Sequence, residues 1–189
     1  MNTLLSYFWP IVAAGLAIGI IAGAIGFRRA LSPVKDKLAP PPPVPPQYYR
    51  KRLISLIAGV AMAVAAACVW SGPLGGADRF IAHVERNARE ALNYYEMPKV
   101  TARLHRAPLT RRLVLAKPAD LALTDFQVSE LARLFSQVPG VSGAQWRSSP
   151  SGLPLLLEGA AVSLVGYLFG LLLAYLVELR RRYNAQWNW

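Results

Sequence analysis

The chain has 189 residues, of which 54% are hydrophobic and only 16% are charged. A soluble domain usually carries about 25% charged residues, so the composition excludes both an ordinary soluble globule and a disordered chain. The 21 Lys and Arg residues exceed the 10 Asp and Glu residues. Much of this excess of positive charge lies beside apolar stretches, where basic residues commonly flank membrane spans. The positive charge is therefore no sign of nucleic-acid binding.

The first predicted element, in residues 1–27, is a transmembrane helix with its N terminus outside the cytoplasm. Residues 4–27 hold 24 uncharged positions. At about 1.5 Å per residue they are long enough to cross a bilayer. No Lys or Arg precedes this stretch and Arg28 follows it, so the positive-inside rule predicts this direction.

Residues 28–52 form a predicted cytoplasmic loop that is basic and rich in proline. The loop holds seven Lys and Arg residues against one acidic residue, Asp36. Residues 39–46, Ala-Pro-Pro-Pro-Pro-Val-Pro-Pro, favour an extended polyproline II segment that would act as a stiff spacer. The alternative is that this segment docks on an aromatic groove of a partner protein.

Residues 53–71 form the second predicted transmembrane helix. They include the only cysteine, Cys68, so no intramolecular disulfide can form. Residues 65–68, after a basic cluster and an apolar run, also resemble an internal lipoprotein signal. The preferred interpretation is a small thiol packed in a helix, and the sequence leaves open whether Cys68 is modified.

Residues 72–152 form a predicted periplasmic domain. Gly and Pro in residues 72–76 break the chain, and apolar residues at helical spacing then predict an amphipathic helix over roughly 78–94. Alternating polar and apolar residues predict one strand in residues 99–105 and a second in residues 112–115, separated by a turn at 107–110.

The second half of this domain contains a helix and a short strand. Thr124 and Gln127 have the spacing of a capping box, which predicts the start of the helix. Pro139-Gly140 ends it, and residues 141–146 follow as a third strand. Both helices on one face of the sheet would bury the apolar residues in one small core.

This order of elements, and residues 137–146, Gln-Val-Pro-Gly-Val-Ser-Gly-Ala-Gln-Trp, resemble the BON domain of bacterial envelope proteins. They are also similar to the BON-like modules that precede OmpA-type domains in some alphaproteobacteria. The resemblance covers roughly residues 79–147, with Ala107-Pro108 where the family usually has a glycine. It implies a periplasmic, non-catalytic module that attaches to phospholipid surfaces or to other proteins.

Residues 153–178 form the third predicted transmembrane helix, and residues 179–189 form a basic cytoplasmic tail. Glu158 is the only acidic residue in residues 153–177. Near the start of a helix it can reach interfacial water or the positive helix terminus, and the alternative is an ion pair with a partner subunit. In the tail, Trp187 and Trp189 are predicted interface anchors, and they could equally bind a partner.

Small residues mark the helix faces that are expected to pack closely. Gly15, Gly19 and Gly23 recur every four residues in the first span, and Gly166 and Gly170 have the same spacing in the third. This spacing lets two helix backbones approach each other. The sequence does not specify whether the facing helix belongs to this chain or to another.

The residues that usually carry chemistry do not form a recognisable site. His83 and His105 lie outside the apolar spans, and no spacing suggests a catalytic set, a metal-ligand cluster or a phosphate loop. We therefore predict no catalytic residue, no cofactor and no metal. Four arginines around the strand–turn–strand unit are candidates for periplasmic docking: Arg103, Arg106, Arg111 and Arg112.

The predicted fold is a membrane α-helical protein with three transmembrane helices and a small α+β domain. The predicted function is a non-catalytic accessory or scaffold subunit of a larger bacterial inner-membrane complex, respiratory or photosynthetic. Its partners would be other integral membrane subunits, membrane lipids and a periplasmic protein. The alternative is a membrane-anchored module that binds anionic lipid or peptidoglycan.

Overall fold

A computed structural model describes residues 3–28, 46–146 and 152–187, except for the side chains of residues 46, 48 and 185–187. The elements in chain order are α1 (Thr3–Phe27), α2 (Pro46–Ser71), α3 (Gly76–Tyr94), β1 (Thr101–Arg106), β2 (Leu109–Ala116), α4 (Asp125–Ser136), β3 (Gly143–Gln145) and α5 (Leu155–Trp187). The predicted order of elements is confirmed at this level.

Three of the helices are long and apolar enough to cross a membrane, over Thr3–Phe27, Tyr49–Ser71 and Leu155–Asn184. Most of the predicted Pro-rich loop, residues 29–45, lies outside the described residues. So do Trp189 and the side chain of Trp187.

Two of these helices are longer than the apolar stretches that predicted them. α2 begins at Pro46, inside the predicted loop, because proline suits the first helical turn and the following basic residues are good helix formers. α5 continues to Trp187, well past residue 178. Glu178 pairs with Arg181 and Arg182, three and four residues on, a spacing that stabilises a helix.

The chain divides into two compact units. The first unit comprises Met1–Pro10 and Ala67–Ala161, and the second comprises Ile11–Ala66 and Val162–Trp189. The start of α1, the end of α2 and the start of α5 therefore belong to the same unit as residues 76–146, which we call the αβ module.

The sheet of the αβ module has the order β1-β2-β3. β1 and β2 are antiparallel, with Leu104 opposite Leu113, and β3 runs parallel to β2, with Ala144 opposite Leu113. Only Ala107 and Pro108 form the turn between β1 and β2, so Leu109 and Thr110 belong to the strand and not to the predicted four-residue turn.

The core of the αβ module follows the predicted periodicities. Each residue of α3 at a spacing of four is buried, from Gly76 through Phe80 to Leu92. The buried residues of α4 are Leu131 and Phe135. In β2, the buried residues Leu113 and Leu115 lie on the same face of the strand. α3 lies against β1, whereas α4 lies against β2 and β3.

The start of α4 is the one that the sequence predicts, whereas the helix ends at Ser136, three residues before Pro139. The Thr124 hydroxyl accepts from the Gln127 backbone N–H at 3.3 Å, and the Gln127 side chain accepts from the Thr124 N–H at 3.0 Å, which confirms the capping box. After the helix, Gly140 has a φ of 100°. An added Cβ there would lie 3.0 Å from Val84, so both conformation and space favour glycine.

Candidate interaction surfaces

The glycines of the first and third apolar helices face each other in the second unit. An added Cβ at Gly15 would overlap the backbone oxygen of Ser163, and one at Gly19 would overlap that of Tyr167. From the other helix, Gly166 lies against Val12 and Gly170 against Leu16. The structure therefore supplies the facing helix from within the chain, since α1 and α5 pack backbone to backbone.

Gly23 extends the same interface with a side-chain contact. A Cβ at Gly23 would lie 2.5 Å from the Cβ of Ala174. Gly26, at the end of α1, is different because its nearest neighbour would be the Ser55 hydroxyl at 3.6 Å, an ordinary contact distance. The close approach of α1 thus involves Gly15, Gly19 and Gly23 but not Gly26.

Side-chain hydroxyls attach α2 to the other two helices of the second unit. Ser163 donates to the carbonyl oxygen of Ala63 at 2.8 Å, and Tyr167 donates to that of Leu56 at 2.9 Å. Ser55 donates to the carbonyl oxygen of Ala22 at 2.7 Å. These residues were not predicted from the sequence, although a few hydroxyls in otherwise apolar helices are the pattern that interhelical hydrogen bonds produce.

Much of the apolar surface in the described helices points away from these contacts. Side chains with more than half of their surface exposed include Ile57 on α2 and Leu168 and Phe169 on α5. Because the small-residue faces are already occupied, we expect any contact with another membrane subunit to use these larger side chains instead.

Glu158 pairs with an arginine of the αβ module. Its Oε2 lies 2.6 Å from Nε of Arg111 in β2, and the side chains are only 18% and 23% exposed. The contact is an ion pair and not a hydrogen bond, because the N–H of Arg111 Nε does not point at the carboxylate oxygen. The partner of Glu158 is thus within the same unit of this chain, and not in a partner subunit as the alternative prediction had it.

The helix ends in the first unit make further contacts with one another and with α3. The hydroxyls of Tyr7 and Ser71 are 2.8 Å apart, and the indole N–H of Trp70 donates to the carbonyl oxygen of Tyr7 at 3.1 Å. The guanidinium of Arg79 lies 4.9 Å from the Trp70 ring centroid, and the rings of Tyr7 and Phe80 are 5.3 Å apart. These contacts fix the start of α3.

The four candidate docking arginines have different surroundings. Arg103 is exposed. Arg106 lies 3.5 Å from Glu85, and Arg112 donates to the Gln145 side chain at 3.4 Å. With Arg111 paired to Glu158, the structure places these arginines around β1 and β2 but does not bring them together as one free basic surface.

Exposed aromatic residues lie at the end of the αβ module where β2 finishes. Tyr94 is 82% exposed and Phe126 is 74% exposed, whereas Tyr95 is 42% exposed. Tyr94 and Tyr95 precede β1, whose first residue is opposite Ala116, the last residue of β2. Phe126 lies in the first turn of α4, and Val128, two residues later, lines a pocket together with Ala116. We call these three residues the aromatic tip.

The opposite end of β2 carries the contacts to the helix ends. Thr110 forms a β-bridge with Pro154, and Arg111 is paired with Glu158. From Arg111 to Ala116 the strand rises about 17 Å at the usual 3.3 Å per residue. The αβ module is thus attached at one end of β2 and presents the aromatic tip at the other.

Basic residues collect at the helix ends of the second unit. Arg52 lies 5.0 Å from the Phe27 ring centroid, and Arg182 donates to the Phe27 carbonyl oxygen at 3.0 Å. Glu178 is 8% exposed and accepts from Arg181 and Arg182. This end of the helices thus combines capping of α1 with an excess of positive charge.

The remaining residues that could carry chemistry are separate from one another. His83 is exposed on α3, and His105 lies 2.9 Å from the carbonyl oxygen of Pro108. Among the described residues, no three His, Cys, Asp or Glu side chains are grouped as they would be around a metal ion. Cys68 is an exposed free thiol.

No protein-family model, curated protein or solved structure matches the chain.

Proposed function

We propose that this chain is a non-catalytic accessory subunit of a larger complex in a bacterial inner membrane. α1, α2 and α5 would cross the bilayer, and the αβ module would dock a partner on the periplasmic side. The observation that carries this proposal is the aromatic tip, since exposed aromatic side chains are enriched where proteins bind one another.

The direction of insertion is supported by the distribution of charge along the helices. The start of α1, the end of α2 and the start of α5 belong to the unit that holds the αβ module. The other ends of these helices carry Arg28, residues 50–52 and residues 180–182, all basic. By the positive-inside rule, these ends would be cytoplasmic and the αβ module periplasmic.

The internal contacts of the second unit are consistent with a scaffold role. The glycine faces and the three hydroxyl hydrogen bonds join α1, α2 and α5 without help from another chain. A subunit with such a prepacked bundle can present its larger apolar side chains to neighbours. The αβ module, BON-like in the order of its elements, would then add a periplasmic contact.

The proposal is tested by purifying the full chain from its native membrane in a mild detergent. We expect it to migrate as part of a larger assembly with other membrane proteins in fixed stoichiometry. Replacing Tyr94 and Phe126 together by Ala should weaken this association at least ten-fold. Anchoring aromatic residues typically contribute about 2 kcal/mol or more to the binding free energy.

Arg86→Ala combined with Ser136→Ala is the matched control, since both residues are exposed on the same two helices but lie outside the aromatic tip. This control should migrate like the wild-type protein. A wild-type chain that is extracted only as a monomer would contradict the proposal.

The alternative, a module that binds anionic lipid or peptidoglycan through its arginines, is less well supported. Of the four candidate residues, Arg111 faces Glu158, Arg106 lies near Glu85 and Arg112 bonds Gln145. Charges that are already paired attract an external anion less strongly.

A further inference from the structure

A groove in the second unit runs between α1 and α2. Small residues form its floor, and Ser55 there has its hydroxyl bonded to the Ala22 carbonyl oxygen. Isoleucines and a methionine form its walls, and more than half of their surface is exposed at Ile21, Ile25, Ile54 and Met62. The groove has a volume of about 340 Å³.

The length of the groove fits the part of a hydrocarbon chain that lies in one leaflet. Its α2 wall extends from Lys51 to Met62, which is about 16 Å at 1.5 Å per residue. This length is close to half of the roughly 30 Å hydrocarbon core, and thus to one leaflet.

The charge at one end of the groove favours an anionic headgroup. Lys51 lines the groove close to the start of the apolar part of α2, and every other lining residue is uncharged. Arg50 is next to it in sequence and exposed. In the proposed membrane location, Lys51 would lie at headgroup level and the apolar walls would extend below it.

We propose that this groove binds one acyl chain of an anionic phospholipid, whose phosphate pairs with Lys51. The hydroxyl of Ser55 already donates a hydrogen bond to Ala22, so the floor of the groove presents no unpaired polar group to the acyl chain. The inference rests on the membrane location in the proposed function but not on the existence of a protein partner. It also assigns the lipid to the cytoplasmic leaflet.

The test is native mass spectrometry of the full chain, purified in mild detergent and incubated with phosphatidylglycerol or phosphatidylcholine. We expect one phosphatidylglycerol per chain to survive activation. Ala58→Phe, which fills the groove from an exposed lining position, should reduce this retention at least five-fold. Ala61→Phe, exposed on the same helix but outside the lining, should retain the lipid like the wild type.

The charge is tested separately by Lys51→Gln against Arg50→Gln. We expect Lys51→Gln to reduce the preference for phosphatidylglycerol over phosphatidylcholine about five-fold, because one basic residue at a membrane surface has an effect of this size. Arg50→Gln should change this preference less than two-fold. Equal effects of these two substitutions would overturn the proposal, because they would show general surface attraction. Unchanged retention in Ala58→Phe would also overturn it.

The outcomes separate this inference from the proposed function. A monomer that keeps its phosphatidylglycerol would support the groove and contradict the subunit proposal. If Ala58→Phe loses a protein neighbour but keeps its bound lipid, the lipid assignment is overturned and the subunit proposal stands.

Discussion

At the scale of single residues, Glu158 has the most specific surroundings. It lies in the first turn of α5, where the helix dipole favours a negative charge, and its carboxylate is 2.6 Å from the Arg111 guanidinium. Removing one partner of a largely buried ion pair leaves the other charge desolvated and unpaired. The pair is therefore expected to hold β2 against the start of α5.

We predict that Glu158→Gln lowers the free energy of unfolding by about 2 kcal/mol, because Arg111 would keep its burial and lose its counter-charge. The measurement is denaturant unfolding of the full chain in detergent. Replacing both residues, as Arg111→Met with Glu158→Leu, should recover most of the loss, since no charge is then left buried.

Glu130→Gln is the control for this prediction. Its partner Arg133 is three residues away on α4 and 65% exposed, so the loss should stay within about 0.5 kcal/mol. Equal destabilisation by the two Glu→Gln substitutions would show that the pair of Glu158 and Arg111 has no special role.

At the scale of elements, the contact between α1 and α5 decides how closely the helices of the second unit approach. The backbone oxygen of Tyr167 occupies the space that a Cβ at Gly19 would need, and Gly170 is also within reach. Backbone atoms cannot move aside as a flexible side chain can, so even one methyl group must separate the helices.

We predict that Gly19→Ala destabilises the chain by about 1–3 kcal/mol, the usual cost of inserting a group into a packed interface. Gly26→Ala, on the same helix but with its nearest neighbour at 3.6 Å, should stay close to the wild type. Thermal unfolding of both variants in detergent provides the comparison, and indistinguishable midpoints would contradict the close packing at Gly19.

At the scale of the whole molecule, the distribution of charge makes a prediction about topology. The αβ module shares a unit with the start of α1, and the basic residues follow α1, precede the apolar part of α2 and end α5. A positive helix end is strongly retained on the cytoplasmic side. The two kinds of helix end should therefore lie on opposite sides of the membrane.

This prediction is tested in a Cys68→Ala background, which removes the only native thiol. Ser129→Cys, exposed on α4, should react with an impermeant maleimide in spheroplasts. Gln47→Cys, exposed in the first turn of α2, should react only after the membrane is disrupted. Reaction of both positions from the same side would contradict the orientation.

Local patterns in the sequence were sufficient for most of the fold. The capping box of Thr124 and Gln127, the buried face of α3 and the alternation in β1 each depend on neighbours a few residues away. The ends of α2 and α5 were less predictable from apolar length, because charged residues such as Glu178 and Arg182 continue a helix as well as apolar ones do.

The amino-acid sequence by itself determined the three long apolar helices, the order of elements in the αβ module and the basic character of the helix ends, because these depend on composition and on short-range periodicity. Only the tertiary structure decided that Gly19 faces Tyr167, that Arg111 meets Glu158, and that α1 and α2 enclose a groove ending at Lys51. Such contacts join residues far apart in the chain, and spacing along one helix or strand carries no information about which other segment will lie opposite.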